Sequence, residues 1–205
     1  MFTGIVQGTA EVQEIDDHDG LRSLRVGFPE GALGGLERGA SISVSGVCLT
    51  AVAFDDASVR FDVIDETLDL TSLGALTVGS QVNYERAATV GKEIGGHLLS
   101  GHVIGVAVIV ERTETDGNLA LTLRAPAAAM PYILPKGYIG LDGISLTIGR
   151  VDLDAQTFTV HLIPETRQIT TIGGKRVGDR INLEVDAMTQ AVVATVERVL
   201  AARQL

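Results

Sequence analysis

A chain of 205 residues, 45% hydrophobic but only 4% aromatic and without Trp, has the material for one large or two small domains with an aliphatic core. Its formal charge of −10, with no basic stripe to offset it, argues against nucleic acid and anionic membranes as partners, and the shortage of rings removes base-stacking platforms. One cysteine, Cys48, excludes a disulfide scaffold, and the four histidines (His18, His97, His102, His161) lack metal-ligand spacing, so neither a metal nor a cofactor is expected.

The start, Met1-Phe2-Thr3-Gly4-Ile5-Val6, carries no charged leader and no cleavage site, and the most apolar stretch, Val103 to Val110, is far too short to span a bilayer. A cytoplasmic protein is expected. Asp19-Gly20 is a hairpin signal. Ser41-Ile42-Ser43-Val44-Ser45 and Ser58-Val59-Arg60-Phe61-Asp62-Val63 alternate polar and apolar residues, as half-buried strands do. After Glu66, Leu68, Leu70 and Leu73 depart from that alternation, which predicts a short helical turn. The glycines between Gly91 and Gly96 read as a hinge. Beyond it the pattern returns, with Asp116-Gly117, two alternating runs (Leu119 to Arg124, Thr157 to Leu162) and a turn after Glu165. Met188 to Arg203 holds no Gly or Pro, and Val192, Val196, Val199 and Leu200 recur every three or four residues, predicting an amphipathic helix capped by Asp186 or Thr189. Its apolar stripe suits packing on its own barrel or on other subunits equally well.

The return of the pattern is a duplication. A shift of 97 carries Gly4 onto Gly101, Asp19-Gly20 onto Asp116-Gly117, Pro29 onto Pro126, and Gly46-Val47-Cys48-Leu49-Thr50 onto Gly143-Ile144-Ser145-Leu146-Thr147. After a two-residue insertion the shift is 99, placing Glu66-Thr67 on Glu165-Thr166 and Asn83-Tyr84-Glu85 on Asn182-Leu183-Glu184. The modules span 1–94 and 95–187, followed by the tail helix 188–205. Many short strands with frequent turns suggest small closed barrels.

The copies differ where chemistry is expected. Cys48 faces Ser145 in the alignment, and both side chains are small, polar and able to act as nucleophiles or hydrogen-bonding groups. A free cysteine is most often a buried small hydrophobe, but a serine at the matched position speaks against a dry site. His102 stands where the first copy has Ile5, and a near-neutral imidazole suits acid–base work. His97 has similar credentials and no counterpart in the first copy. His18 lies in an acidic, solvated turn. Lys136 matches Gly39, and its ordinary reading is a surface lysine. No P-loop, G-x-G-x-x-G or nucleophile elbow is present, which argues against nucleotide cofactors.

Taken together, the N-terminal Met1-Phe2-Thr3-Gly4-Ile5-Val6, Gly46-Val47-Cys48-Leu49-Thr50, Gly95 to His102 and Lys136 to Thr147 resemble the riboflavin synthase α-chain family over the whole chain. The resemblance implies an all-β fold: two tandem six-stranded antiparallel Greek-key barrels plus a C-terminal α-helix that assembles a homotrimer. It implies dismutation of two molecules of 6,7-dimethyl-8-ribityllumazine, one donating a four-carbon unit to the other, to give riboflavin and 5-amino-6-ribitylaminouracil without a cofactor. It also implies a functional association with lumazine synthase, and a reactive site between the first barrel of one subunit and the second barrel of a neighbour. Carried over residue by residue, Gly4-Ile5-Val6, Cys48-Leu49-Thr50, Asp62-Val63-Ile64-Asp65-Glu66-Thr67 and Gly101-His102-Val103 match the family's first ligand site. Lys136, Ser145-Leu146-Thr147 and His161-Leu162-Ile163-Pro164-Glu165-Thr166 match its second. Phe2, Ser41, Cys48, His102, Asp142, Ser145 and Asp186 fall where the family places catalytically important residues. This chain has Ser45 where many relatives carry Asn.

The rival from another class is a lumazine protein, a non-enzymatic chromophore carrier of the same fold. The presence of Cys48, His102, Ser145, Lys136 and the tail helix favours the enzyme. A purely structural repeat would not account for unequal polar residues at matched loop positions.

Overall fold

Two closed barrels, each of six antiparallel strands, follow one another in the computed structural model, which describes residues 1–203. The first is built from β1 (Gly8–His18), β2 (Leu21–Gly27), β3 (Ser41–Val44), β4 (Val47–Phe54), β5 (Ser58–Ile64) and β6 (Gln81–Arg86). Its strands run in the order β1-β2-β5-β4-β3-β6 around the barrel. The second uses β7 (Gly105–Thr115), β8 (Asn118–Arg124), β9 (Tyr138–Leu141), β10 (Ile144–Asp152), β11 (Thr157–Leu162) and β12 (Arg180–Val185) in the same circuit. Three consecutive strands with β2 returning beside β5 make each barrel a Greek key.

Period-two patterning drives this. In β5, Val59, Phe61 and Val63 point inward, and in β11, Phe158, Val160 and Leu162 do the same. The two Asp-Gly pairs close the β1–β2 and β7–β8 hairpins, where His18 pairs with Leu21 and Thr115 with Asn118. The irregular leucines after Glu66 fold as helix α1 (Asp65–Leu70), matched by α2 (Pro164–Ile169). The tail forms α3 (Ala187–Ala202), starting one residue earlier than the periodicity predicts. Its cap is Asp186, whose Oδ2 accepts from the Thr189 amide and hydroxyl, both at 2.7 Å. No residue of α3 is buried, and Met188, Val192, Val196, Val199 and Leu200 lie open. Among the described residues no helix is long and apolar enough to cross a membrane.

The barrels are not merely adjacent, because their cores exchange residues. Val6, from the segment before β1, packs into the second barrel's core beside residues such as Ala107 and Leu146. Val103, from the segment before β7, packs into the first. Phe2 and Leu99 trade backbone hydrogen bonds in both directions (2.7 and 3.0 Å) where the two segments cross. Each barrel is thus closed by a strap from the other module.

The β3–β4 and β9–β10 turns meet back to back. Ser45-Gly46 (φ 44°, 83°) and Asp142-Gly143 (φ 46°, 81°) have the paired positive φ values of type I′ hairpin turns. A side chain at Gly46 would come within 2.6 Å of the Gly143 amide nitrogen, so neither turn tolerates a larger second residue. Two buried asparagines pin the contact. The Asn83 amide donates to the Asp142 carbonyl (2.9 Å), and the Asn182 amide donates to the Ser45 carbonyl (2.8 Å).

Candidate functional site

Each strap lays its backbone along the strand after the β-turn of the opposite barrel. The Cys48 amide donates to the Gly101 carbonyl at 2.9 Å, and the Ser145 amide donates to the Gly4 carbonyl at 2.8 Å. The approach is close: a Cβ on Gly101 would sit 2.5 Å from the Cys48 Cβ, and one on Gly4 would sit 2.5 Å from the Ser145 Cβ. Both glycines have positive φ (80° and 74°), so a side chain is excluded twice over.

Two equivalent clusters follow. In the first, Cys48-Leu49-Thr50 meet the strap Gly101-His102-Val103, with Asp62 to Thr67 on the neighbouring strand β5 and the helix that follows it. In the second, Ser145-Leu146-Thr147 meet the strap Gly4-Ile5-Val6, with His161 to Thr166 on the neighbouring strand β11 and the helix that follows it. Gly4-Ile5-Val6, which the resemblance groups with the first ligand site, pack against the second barrel. The physical reason is the crossing at Phe2 and Leu99, which sends the chain start away from its own module.

In both straps the residue after the glycine faces solvent, with Ile5 47% exposed and His102 also exposed, while the next valine anchors the strap in the core. His102 and Ile5 are therefore equivalent outward positions at the mouths of the two clusters, one able to exchange protons and one not. Leu49 and Leu146 turn inward, whereas Thr50 and Thr147 face out and Cys48 and Ser145 are half-buried. Asp62 is half-buried and accepts from the Ser23 hydroxyl (2.7 Å). Ile64 and Ile163 are exposed apolar residues, at 52% and 63%, on equivalent lips of the two clusters.

The second cluster has two features that the first lacks. Lys136 holds φ +67°, a left-handed conformation that costs a non-glycine residue about 1 kcal/mol or more, at the position where the first barrel has Gly39 (φ 86°). It borders a cavity of about 520 Å³ over β8, β10 and β11, together with Thr122, Arg150, Thr159 and His161. His97 is buried, stacks on Tyr138 (5.1 Å, 17°) and places Nδ1 2.6 Å from the Ser145 hydroxyl. Burial holds the imidazole below its ordinary pKa, opposed by the charges of Asp186 and Glu184, and its buried Nε2 has no hydrogen-bond partner among the described residues.

Two residues singled out in the sequence, Phe2 and Asp142, lie away from both clusters, and a third, Asp186, reaches the second only through its charge on His97. Phe2, 1% exposed, anchors the strap crossing. Asp142 is buried at the turn contact, accepting from the Asn182 amide (2.8 Å) with its Oδ2 3.2 Å from the Lys175 ammonium. Burial pushes its carboxyl pKa up, and Lys175 opposes the shift. Asp186 caps α3. Ser41 sits opposite Thr50 in the β3–β4 ladder, at the edge of the first cluster. Among the described residues no group of three His, Cys, Asp or Glu could hold a metal ion.

Sequence reasoning passed over Glu85 and Glu184. Glu85 Oε1 accepts from the Thr3 amide and hydroxyl (2.6 and 2.7 Å), and its Oε2 accepts from the Gly4 amide (3.0 Å). Glu184 does the same for Ser100 and Gly101 (2.7, 2.7 and 3.0 Å). The signal was present: both copies of the repeat keep this glutamate.

A family model described as a lumazine binding domain matches residues 3–87 and again 100–186. The riboflavin synthase of Escherichia coli (strain K12) is 50% identical over 205 residues, spanning 100% of this chain and 95% of that protein. The chain belongs to the riboflavin synthase family. The family's enzyme from Chlamydia trachomatis serovar D is 43% identical over 205 residues (100% of this chain, 99% of that protein), and that of Mycobacterium bovis is 40% identical over 194 residues (94% and 96%). Among solved structures, LumP complexed with riboflavin superposes with a TM-score of 0.82 at 30% identity, covering 91% of this chain and 100% of that one. LumP complexed with 6,7-dimethyl-8-(1′-D-ribityl) lumazine gives 0.81 at 27%, covering 91% and 99%.

Proposed function

We propose that this chain is a riboflavin synthase that converts two molecules of 6,7-dimethyl-8-ribityllumazine into riboflavin and 5-amino-6-ribitylaminouracil. The observation that carries the reading is the pair of equivalent strap-and-strand clusters, at Cys48 and at Ser145, in a chain 50% identical over its whole length to a named riboflavin synthase. A reaction between two identical molecules calls for two similar sites. It also calls for a difference between them, since one molecule gives up a four-carbon unit and the other receives it. The differences are His102 against Ile5, Cys48 against Ser145 and Lys136 against Gly39. The atoms of two substrates are conserved in the two products, so no external oxidant or reductant is required.

On this reading the straps and the Cys48 and Ser145 strands hold the two ring systems, and His102 carries protons at the first cluster. Orienting two bound reactants can remove up to about 7–11 kcal/mol of the barrier in the best intramolecular cases. We further propose that α3 assembles the chain into a cytoplasmic homotrimer, because its apolar stripe is left uncovered in the single chain. The working site then lies between the first barrel of one subunit and the second barrel of the next. Incubation with 6,7-dimethyl-8-ribityllumazine alone, in the presence of a chelator, tests the function. Riboflavin fluorescence should appear with equimolar 5-amino-6-ribitylaminouracil. Stable binding without turnover would instead identify a chromophore carrier.

A further inference from the structure

The two strap glutamates sit on strands of one barrel yet act on the cluster of the other. Glu85 belongs to β6 of the first barrel, and its carboxylate grips Thr3 and Gly4, whose strap lies on Ser145 of the second. Glu184 belongs to β12 of the second barrel and grips Ser100 and Gly101, whose strap lies on Cys48 of the first. We propose that Glu85 and Glu184 are crossed positioning residues: each sets the geometry of the ligand half-site in the opposite barrel. This rests on the functional reading above only in calling the clusters ligand half-sites. The crossing itself concerns the protein alone.

Among the described residues, Thr3-Gly4 and Ser100-Gly101 are each held to other elements by four hydrogen bonds. Three of them end on one carboxylate, and the fourth is the backbone bond to Cys48 or Ser145. Both carboxylates are buried, Glu85 4% and Glu184 6% exposed, so no water replaces a lost oxygen at low cost. The valine two residues beyond the glycine pins the far end of the strap, leaving the segment that carries His102 or Ile5 held between core and carboxylate. Loosening one carboxylate frees one strap. A change in β6 therefore acts on residue 145 rather than on residue 48 of its own barrel.

Cys48 is the only cysteine, which makes it a reporter for the first cluster. Its reaction with a disulfide thiol reagent measures how often the Gly101 strap opens. In the full-length protein, Glu184→Gln should raise that rate about tenfold, as expected for weakened charge-assisted bonds, while Glu85→Gln leaves it within about twofold. In a Cys48→Ser, Ser145→Cys background the order should invert, with Glu85→Gln accelerating the reaction more than Glu184→Gln, whose charge reaches residue 145 only through His97. Glutamine keeps one acceptor oxygen and nearly the same volume. A chemical-denaturation midpoint and circular dichroism on each variant confirm that folded protein is compared. General destabilisation would move both variants alike, because the two glutamates make matching bonds. Equal acceleration by both variants, acceleration in the same-barrel sense, or no acceleration by either would each overturn the proposal. Protection of wild-type Cys48 by added 6,7-dimethyl-8-ribityllumazine reports separately on the functional reading, and its failure leaves the reactivity result standing.

Discussion

The imidazole Nδ1 of His97 lies 2.6 Å from the Ser145 hydroxyl, and this pair has no equivalent in the first barrel, where Cys48 replaces the serine and no residue aligns with the histidine. It is a chemical asymmetry between the two copies. Its histidine comes from the segment of the second module that precedes β7, and its serine from β10.

The pair has a consequence for stability. Burial holds the folded pKa of His97 below the value near 6.5 expected of the unfolded chain, the charges of Asp186 and Glu184 opposing it. As pH falls below about 6.5, the unfolded chain takes up a proton that the native imidazole refuses, so native stability is lost in the window between the unfolded and folded values. Urea midpoints of the wild type should fall more steeply between pH 7 and pH 5.5 than those of His97→Gln. Parallel slopes would show that His97 does not titrate as its burial requires.

At the first cluster, His102→Gln should reduce kcat by roughly a hundredfold, the scale of a single acid–base group, with a much smaller change in lumazine affinity. Cys48→Ser should keep more activity than Cys48→Ala if a polar group is needed beneath the Gly101 strap. Single-turnover rates and fluorescence titration separate the two effects. Wild-type turnover in both His102→Gln and Cys48→Ala removes these side chains from the chemistry.

Lys136 offers a trade between stability and binding. It holds a left-handed φ that Gly39 adopts without strain in the first barrel. Lys136→Gly should therefore leave the protein as stable or stabilise it by up to about 1 kcal/mol, while weakening ligand binding at the cavity shared with His161. Differential scanning calorimetry with and without the lumazine measures both. A variant that is less stable yet binds normally would return Lys136 to the status of a surface lysine.

Removal of the residues after Ala187 should leave both barrels intact, because no residue of α3 is buried within the chain. Light scattering should report a species of smaller assembly mass, circular dichroism should keep its β content, and specific activity should drop as the shared site is lost. A truncated monomer that remains fully active at high dilution would show that a single chain holds a complete site.

Much of this molecule is determined by local pattern. Alternation in runs such as Thr157 to Leu162 marks strands because the pleat repeats every two residues, and Asp-Gly pairs mark hairpins because glycine readily supplies the positive φ of the turn, as Gly20 (φ 76°) and Gly117 (φ 78°) do. The duplication was legible as register between copies, and with it the unequal Cys48 and Ser145. What depended on tertiary structure was connectivity in space. No local rule states that a six-residue segment will cross to the other barrel, so the place of Gly4-Ile5-Val6 beside Ser145 depends on the Phe2–Leu99 bridge. The same holds for Asp142, which sits in the inter-barrel contact, and for Glu85 and Glu184, whose partners lie more than eighty residues away in sequence. Periodicity records which face a residue shows to the core, whereas a strap's destination is decided by where two complete barrels leave a buried carboxylate and a gap the size of a valine.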